Sequence, residues 1–273
     1  MAQTAEIQTI EPAKRRVRLR DIPASLPVTR VVSVRDFKVR YKQAALGPLW
    51  LFIQPLGILV AFIVVFDGVA QVDTSGVPYA LFALVGITVW TFASASLAYG
   101  VRAQITNREI IRYVDCPRLA FVTSTIVASL PNLAVPLLLT FASMAVLGHA
   151  PPIAILALPL CIAWVFLLLW GLALGLSAAN VRFRDVNAFV PFFLQGGMFL
   201  TPIAYPLEEA PPRLADILML NPFSGVIELW RWSMLGAELN LAAVIIAALG
   251  TAIILVLGWR LFTRLEVRFA DLI

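Results

Sequence analysis

The chain has 273 residues, of which 60% are hydrophobic and only 14% are charged, and its mean hydropathy is +0.89. Soluble domains contain about 45–50% apolar and about 25% charged residues, so this composition excludes a single water-soluble domain. The two cysteines, Cys116 and Cys161, are too few to indicate a disulfide framework. We therefore predict an all-α integral membrane protein that crosses the bilayer several times.

The N-terminal region is polar and basic. Residues 1–24 are rich in alanine and proline and contain Lys14-Arg15-Arg16, which predicts a mostly disordered basic leader. In residues 25–46, apolar and basic side chains alternate from Phe37 to Lys42, and this period of two favours a short strand. A helix lying in the membrane interface is the alternative, and the alternation does not decide between the two.

Six apolar segments are long enough to cross a membrane. The first, from Gly47 to Phe66, has twenty residues without a charge, about the length that crosses a ~30 Å hydrocarbon core. It contains Gln54-Pro55, and the carbonyl that the proline leaves unpaired needs a partner in protein or water. The predicted transmembrane domain covers residues 47–262 and precedes a cytoplasmic tail, residues 263–273. Its spans are expected at about 47–66, 78–101, 119–147, 153–179, 186–206 and 241–259.

Residues 207–240 differ from these spans. They are acidic, and their apolar pieces run only about 9–14 residues, which is too short to cross the bilayer. Asn221-Pro222 has the pattern of a helix N-cap followed by proline at the first helical position. We expect two short re-entrant helices here, which enter one leaflet and return.

Basic residues are distributed unevenly between the two sets of loops. The N-terminal region, the loops at 102–118 and 182–184 and the C-terminal tail hold 19 of the 21 Lys and Arg residues. The other loops hold only Arg213 and Arg231, together with seven acidic residues. Because basic loops stay in the cytoplasm, both termini are expected there. The same distribution explains the net charge of +5 without a nucleic-acid partner.

The predicted spans contain no Asp, Glu, Lys or Arg residue. Ion-coupled transporters usually need an ionisable group at membrane depth, so that class has little support. The sequence lacks a GxxxxGK phosphate loop, which excludes ATP hydrolysis by this chain. His149 is the single histidine and has no companions with metal-ligand spacing, so we predict no metal, catalytic residue or cofactor here. Asp185 and Glu208-Glu209 are the only carboxylates suited to a membrane-embedded enzyme, and solvated loops are the favoured interpretation of both.

Five short motifs occur in order within residues 30–265. They are Arg40-Tyr41-Lys42 with Leu46-Gly47, Trp50 and Pro55; Pro117-Arg118; Asn180-Val181-Arg182-Phe183-Arg184-Asp185; Thr201-Pro202-Ile203-Ala204-Tyr205-Pro206; and Asn221-Pro222 ahead of Glu228 and Arg231. Each motif alone is weakly specific, but their order resembles that of the type-2 ABC-transporter permeases. The branch that it resembles most exports O-antigen, capsule, teichoic acid or galactan chains. By this resemblance we expect an export permease for a lipid-linked polysaccharide.

The resemblance also implies partners and contact sites. It implies a homodimer in the bacterial plasma membrane, joined to two copies of a separate ATPase that binds ATP and Mg²⁺. It implies that residues 28–42 form an interfacial helix, contrary to the strand that the alternation favours. The motif at this helix would comprise Arg40, Tyr41, Lys42, Gly47 and Trp50. A coupling helix at residues 103–116 would dock on the ATPase through Gln104, Asn107, Arg108, Glu109, Arg112 and Tyr113.

Aromatic side chains in the first and fifth spans are candidates for a sugar path, because flat rings can stack on sugars. The fifth span is favoured as a channel wall because Gly196-Gly197 and its prolines interrupt it. A broken helix at membrane depth needs protein or a water-filled cavity beside it. Ordinary packing and the aromatic belts at the membrane interfaces are the alternative explanation of these rings. The path candidates are Trp50, Gln54, Phe192, Phe193, Phe199 and Tyr205.

Two other functions stay open at this point. One is a type-2 permease for drugs or lipids, which would share the same family motifs. The other is a membrane-bound enzyme that modifies glycans, which would require Asp185 or Glu208 for turnover without an ATPase.

Overall fold

The structure, a computed structural model, describes residues 18–42, 45–114, 116–266 and 269. None of these residues forms a strand, so the predicted all-α fold is confirmed for them. Leu19–Asp21, Gly47–Leu49, Ile153–Ala157 and Leu207–Glu209 are 3₁₀-helices, and Ile63–Val69 is a π-helix. The α-helices are α1 (Ile22–Lys42), α2 (Trp50–Phe62), α3 (Tyr79–Gly100), α4 (Ala103–Thr106), α5 (Arg108–Tyr113), α6 (Leu119–Val127), α7 (Pro131–Leu147), α8 (Leu158–Arg182), α9 (Val186–Gly197), α10 (Pro212–Met219), α11 (Pro222–Leu235) and α12 (Leu241–Leu265).

The segment before the first span is a helix, so the strand that the alternating pattern favours is wrong. Within α1 the rings of Phe37 and Tyr41 lie four residues apart and contact each other, with centroids 5.1 Å apart. Small side chains spaced along the helix, among them Ser25 and Thr29, are buried where α1 packs on α6. Residues 1–17 of the predicted disordered leader lie outside the described residues. The last residues of the leader, from Leu19 onward, are helical, so the predicted boundary at residue 24 is too late.

Five helices of the described residues are long and apolar enough to cross a membrane. They are Gly47–Val69, Tyr79–Gly100, Leu119–Leu147, Ile153–Arg182 and Leu241–Leu265. These helices correspond to the predicted first, second, third, fourth and sixth spans. The last one continues to Leu265, so the first residues of the predicted tail are helical. The predicted fifth span is not among the five, because α9 ends at Gly197 after twelve residues, about 18 Å.

The central helix of the molecule is α3. In its most apolar stretch 83% of the residues are buried inside the protein, against 22–28% in the other four long helices. It contacts α2, α6, α7, α8, α9 and α11. Contacts with Gly86 are close, since a Cβ atom there would lie 2.8 Å from the side chain of Ile203. Ile203 therefore lies against α3 one to two turns from its Tyr79 end.

Helices α8 and α12 run side by side in the same direction. Trp164 donates a hydrogen bond to Thr251 at 2.9 Å, and further along both helices a Cβ atom on Gly258 would lie 2.1 Å from the carbonyl oxygen of Gly171. Glycine at both positions lets the two backbones approach closely. Because the helices are parallel, the chain between Arg182 and Leu241 has to return from one end of the pair to the other.

The predicted fifth span makes this return as an interrupted segment along α3. Asn187 accepts a hydrogen bond from Arg102, just beyond one end of α3. Gly197 lies at the middle of α3, where a Cβ atom would be 3.1 Å from the ring of Trp90. Ala204 then accepts a hydrogen bond at 2.8 Å from the hydroxyl of Tyr79, the first residue of α3. Residues 187–204 thus pass the whole length of α3. The helical part of this segment, α9, extends along only about half of α3.

Helices α10 and α11 form a hairpin beside α3. At its tip, Phe223 contacts Trp90 in the middle of α3, with ring centroids 5.7 Å apart. Arg231, further along α11, lies over the ring of Phe82 near the Tyr79 end of α3. The hairpin therefore starts at the Tyr79 end, turns at the middle of α3 and returns to the same end.

Candidate functional site

The turn that follows α9, residues 198–206, is irregular backbone beside the central helix. Its carbonyl oxygens lack the partners that a continuing helix would provide, and four side chains supply them instead. Tyr205 donates to the carbonyl of Phe199 at 2.9 Å, Asn221 to that of Leu200 at 3.0 Å, Arg231 to that of Ile203 at 2.9 Å and Tyr79 to that of Ala204 at 2.8 Å. These donors come from the turn itself, the hairpin and α3, so the turn is held from several sides.

Asn221 joins this turn to the tip of the hairpin. Its side-chain oxygen accepts from the backbone N–H of Phe223 at 3.1 Å, so it is the N-cap that Asn221-Pro222 predicts. Its amide group donates to the carbonyl of Leu200 and, at 2.9 Å, to the hydroxyl of Thr201. Two separate sequence motifs, at residues 201–206 and 221–231, therefore meet in one hydrogen-bonded structure.

Glu228 and Arg231 form a buried ion pair within α11. Their side chains are 3.4 Å apart, and Arg231 is only 2% exposed. The guanidinium also lies 3.5 Å from the centroid of the Phe82 ring, a cation–π contact that is strong when water is excluded. Arg231 therefore ties the hairpin to α3 through Phe82 and to the turn through Ile203. The sequence signal is Glu and Arg at helical i, i+3 spacing after an N-cap, but it does not reveal their burial.

Arg40 fastens α1 to the helical bundle. Its guanidinium lies 3.6 Å from the centroid of the Tyr99 ring and donates to the hydroxyl of Ser129 at 2.9 Å. Burial lowers the pKa of this guanidinium from its usual value, while Tyr99 and Asp36 act in the opposite direction. Arg40, a residue of the predicted interfacial motif, therefore has a structural role. Its side chain links α1 to α3 and to the turn before α7.

The other residues of that motif form the corner between α1 and α2. Gly47 has φ of +48°, a conformation that glycine adopts without strain and other residues rarely adopt. Tyr41 is half-buried, Lys42 is exposed, and Trp50 is 49% exposed at the start of α2. Gln43 and Ala44 between them lie outside the described residues.

The predicted coupling segment forms two short helices, α4 and α5, instead of one helix over residues 103–116. Asn107 separates them because its backbone, at φ −103° and ψ 19°, leaves the helical region. The Asn107 amide donates to the carbonyl of Ala103 at 2.8 Å and accepts from Arg35 of α1 at 2.6 Å. Gln104 is fully buried and donates to the carbonyl of Arg118 at 3.1 Å. These two amides hold the segment against α1 and α6.

The remaining coupling candidates lie on α5 and face outward. Arg108, Glu109, Arg112 and Tyr113 are all exposed in the single chain, and Tyr113 is 77% exposed. Arg108 and Arg112 are four residues apart and share one face of the helix. Asp115 lies outside the described residues. A partner that approaches this side would meet α5 and not the buried amides of Gln104 and Asn107.

The candidates for the sugar path fall into two groups. Phe192, Phe193 and Phe199 are 75%, 52% and 60% exposed on α9 and the turn, and Tyr205 is half-buried in the same turn. Trp50 and Gln54 are exposed on α2, which packs on α3 but has no extensive contact with α9 among the described residues. One chain alone therefore does not place the two groups on opposite walls of a channel.

The carboxylates considered for an enzyme do not form a common site. Asp185 precedes α9 near the Gly100 end of α3, whereas Glu208 and Glu209 follow the turn near its Tyr79 end. In the part of the chain that the structure describes, no three His, Cys, Asp or Glu side chains lie close enough to hold a metal ion.

Known proteins resemble this chain over most of its length. The family described as ABC-2 type transporter matches residues 27–235. The O-antigen export system permease protein RfbA of Klebsiella pneumoniae is 26% identical over 244 residues, which cover 89% of this chain and 93% of that protein. A protein of the same name from Myxococcus xanthus is 30% identical over 190 residues, 69% of this chain and 72% of that protein. The polysialic acid transport protein KpsM of Escherichia coli is 22% identical over 240 residues, 85% of this chain and 91% of that protein.

Replacing Arg231 by methionine should destabilise the protein more than removing both charges. Arg231→Met leaves the buried Glu228 without its partner, and breaking such a pair costs about 3–5 kcal/mol. The double variant Glu228→Gln/Arg231→Met leaves no buried charge, so we expect it to regain part of that loss. The free energy of unfolding in detergent, measured by denaturant titration, checks this. Arg213→Met on the exposed side of α10 is the matched control and should be neutral. A double variant at least as unstable as Arg231→Met would contradict a role for the ion pair.

Proposed function

This chain belongs to the ABC-2 type transporter family, as its motifs predict, and we propose that it is the permease of a polysaccharide exporter. The observation that carries the proposal is the similarity, over 85–89% of the chain, to proteins named for O-antigen export and polysialic acid transport. The substrate would be a polysaccharide attached to a lipid. Because those relatives are bacterial, the bacterial plasma membrane is the proposed location.

Energy for export would come from a separate ATPase. The chain has no phosphate loop of its own, so ATP and Mg²⁺ would bind to the partner. The exposed side chains of α5, with Arg108, Glu109, Arg112 and Tyr113, offer a polar surface for that partner. The loop that carries them belongs to the basic side of the molecule, which the positive-inside rule assigns to the cytoplasm. We propose two ATPase copies for two permease chains.

Six crossings of the membrane are the proposed topology, although five helices of the described residues are long enough to span. The parallel direction of α8 and α12 requires a return between them, and residues 187–204 run the length of α3. With this interrupted segment counted as a crossing, both termini lie in the cytoplasm, in agreement with the basic residues. The α10–α11 hairpin, which turns at the middle of α3, is then re-entrant from the outer side.

A homodimer would complete the path for the polysaccharide. Among the described residues of one chain, the rings of α9 are exposed, and so is the face of α2 with Trp50 and Gln54. We propose that two copies bring such faces together around a channel lined by Phe192, Phe199 and Tyr205. Stacking surfaces without fixed charges suit a polymer that must slide past many weak contacts.

Deletion of the gene tests the substrate class. We expect the lipid-linked polysaccharide to accumulate in the cytoplasmic leaflet and to be lost from the cell surface, because export is the only step removed. An impermeant lectin labels the surface pool in intact cells and both pools after permeabilisation, and reintroducing the gene is the control. Normal surface polysaccharide combined with altered resistance to drugs would instead favour a drug or lipid permease.

Cysteine labelling distinguishes six crossings from five. In a background with Cys116→Ser and Cys161→Ala, an impermeant thiol reagent added outside should label Ser75→Cys and Glu209→Cys. Asp185→Cys and Glu109→Cys should react only after the membrane is permeabilised, because they lie on the basic side. All four positions are exposed in the structure. An added cysteine after Leu265 that reacts from outside would support five crossings and overturn the proposed topology.

Charge reversal on α5 tests the docking surface. The double variant Arg108→Glu/Arg112→Glu should lose export, and its partner's ATP hydrolysis should no longer respond to the substrate. Its level in the membrane should stay normal, because both side chains are exposed. Arg213→Glu, an exposed reversal on the opposite side, is the matched control and should export normally. Wild-type export by the double variant would exclude this face of α5 as the coupling surface.

A further inference from the structure

An apolar cavity of about 290 Å³ lies beside α9 at the level of Trp90, in the middle of α3. Its walls come from α3, α8, α9, the turn after α9, α12 and the tip of the α10–α11 hairpin. On α8 the wall is formed by leucines, including Leu172 and Leu176, and on α12 by Ile254. The cavity is separate from the ion pair of α11 and from the proposed docking surface of α5.

The wall offers almost no polar surface to a ligand. Apart from the indole of Trp90, its polar side chains are Thr201 and Asn221, and their hydrogen bonds are already made within the protein. Thr201 donates to the carbonyl of Gly197 at 2.8 Å, and Asn221 is bonded to Thr201, Leu200 and Phe223. A sugar placed here would lose hydrogen bonds to water without gaining others, which costs several kcal/mol per group. The chemistry of the wall fits a hydrocarbon chain.

The cavity opens past α9. Phe189 and Phe193, which stack on each other with centroids 5.9 Å apart, line it and are still 57% and 52% exposed. On the other side of the opening stand Leu172, Leu176 and Ile254, which are half-exposed. They belong to two helices long enough to span the membrane, so a hydrocarbon chain can reach the opening from the lipid phase.

The two faces of α9 differ in what they can accept. Phe189, Val190, Phe193, Leu194 and Gly197 recur at helical spacing and line the cavity. Phe192 and Gln195 point away from it and are exposed, together with Phe199 of the turn. A molecule with both a lipid tail and a sugar chain can therefore place the tail on one face of α9 and the sugars on the other.

We propose that this cavity binds part of the hydrocarbon tail of the lipid-linked substrate during transport. The inference rests on the proposed function, since it assigns the tail of the same substrate to a site of its own. The tail would fix the lipid end at mid-membrane depth while Phe192 of α9 and Phe199 of the turn contact the sugars.

Photocrosslinking tests the occupant directly. The permease with its ATPase is placed in lipid vesicles with a synthetic lipid-linked disaccharide that carries a diazirine near the middle of its hydrocarbon chain. Mass spectrometry should find the label on cavity residues such as Leu172, Leu176 and Phe193. Phosphatidylcholine with a diazirine at the same depth should label them about tenfold less at equal concentration, a difference of about 1.4 kcal/mol in affinity.

A variant that fills the cavity provides the second measurement. Leu176→Trp should reduce labelling by the long-chain probe and raise the substrate concentration needed for half-maximal export about tenfold. Export of a short-chain analogue with the same sugars should be unchanged, which a general folding defect would not allow. Leu167→Trp, an exposed position on the same helix and outside the wall, is the matched control.

Each outcome separates this inference from the proposed function. If wild-type protein exports neither probe, the proposed function fails. If it exports both while the cavity is unlabelled or Leu176→Trp behaves like Leu167→Trp, only the tail site is wrong. Equal labelling by phosphatidylcholine would make the cavity a site for bulk lipid. Crosslinks from Phe193 to a second copy of the chain would make it part of the subunit interface, and either result overturns the proposal.

Discussion

Backbone polar groups at membrane depth must find hydrogen-bond partners inside the protein, and the turn after α9 is the place where this constraint is most demanding. Four backbone carbonyls of this turn, in two adjacent pairs, accept hydrogen bonds from side chains. The donors are Tyr205, Asn221, Arg231 and Tyr79. Three of the four donors come from the hairpin and α3, so the carbonyls of the turn are satisfied only when those elements pack around it. The irregular segment therefore depends on the α10–α11 hairpin, on the buried Arg231 and on the largely buried central helix α3.

The burial of α3 is connected with the same need for hydrogen-bond partners of the backbone at membrane depth. A helix that is covered on most sides supplies fixed walls against which a broken segment can rest without exposing its backbone to lipid. Glycines permit the close approach where it is needed, since a Cβ atom on Gly225 would lie 2.2 Å from the carbonyl oxygen of Ala243. Gly225 thus lets α11 approach α12 closely, as Gly171 and Gly258 do for α8 and α12.

Hydrophobic length and charge predict much of this fold. They identify the five long helices and the acidic hairpin region to within a few residues, because the bilayer imposes both signals on the sequence. They fail where side chains act on their neighbours. Alternation from Phe37 to Lys42 suggests a strand, yet Phe37 and Tyr41 pair across one helical turn. Gln104 and Asn107 look like contact residues, but their amides are used to hold α4 and α5 against the rest of the chain.

Only part of the candidate site could be predicted from the sequence. The aromatic residues of α9 can be read from the sequence, whereas the burial of Glu228 and Arg231 depends on how the hairpin packs, which no local pattern specifies. The interruption at Gly197 has a further consequence for function. Because α9 is short and packs lightly on α3 and α8, it leaves space on the side of Phe189 and Phe193, while Phe192 is exposed on its other side. A continuous helix packed tightly on α8 would close that space, so the break that the hydrogen bonds of Asn221 and Arg231 sustain leaves an apolar cavity on this face of the permease.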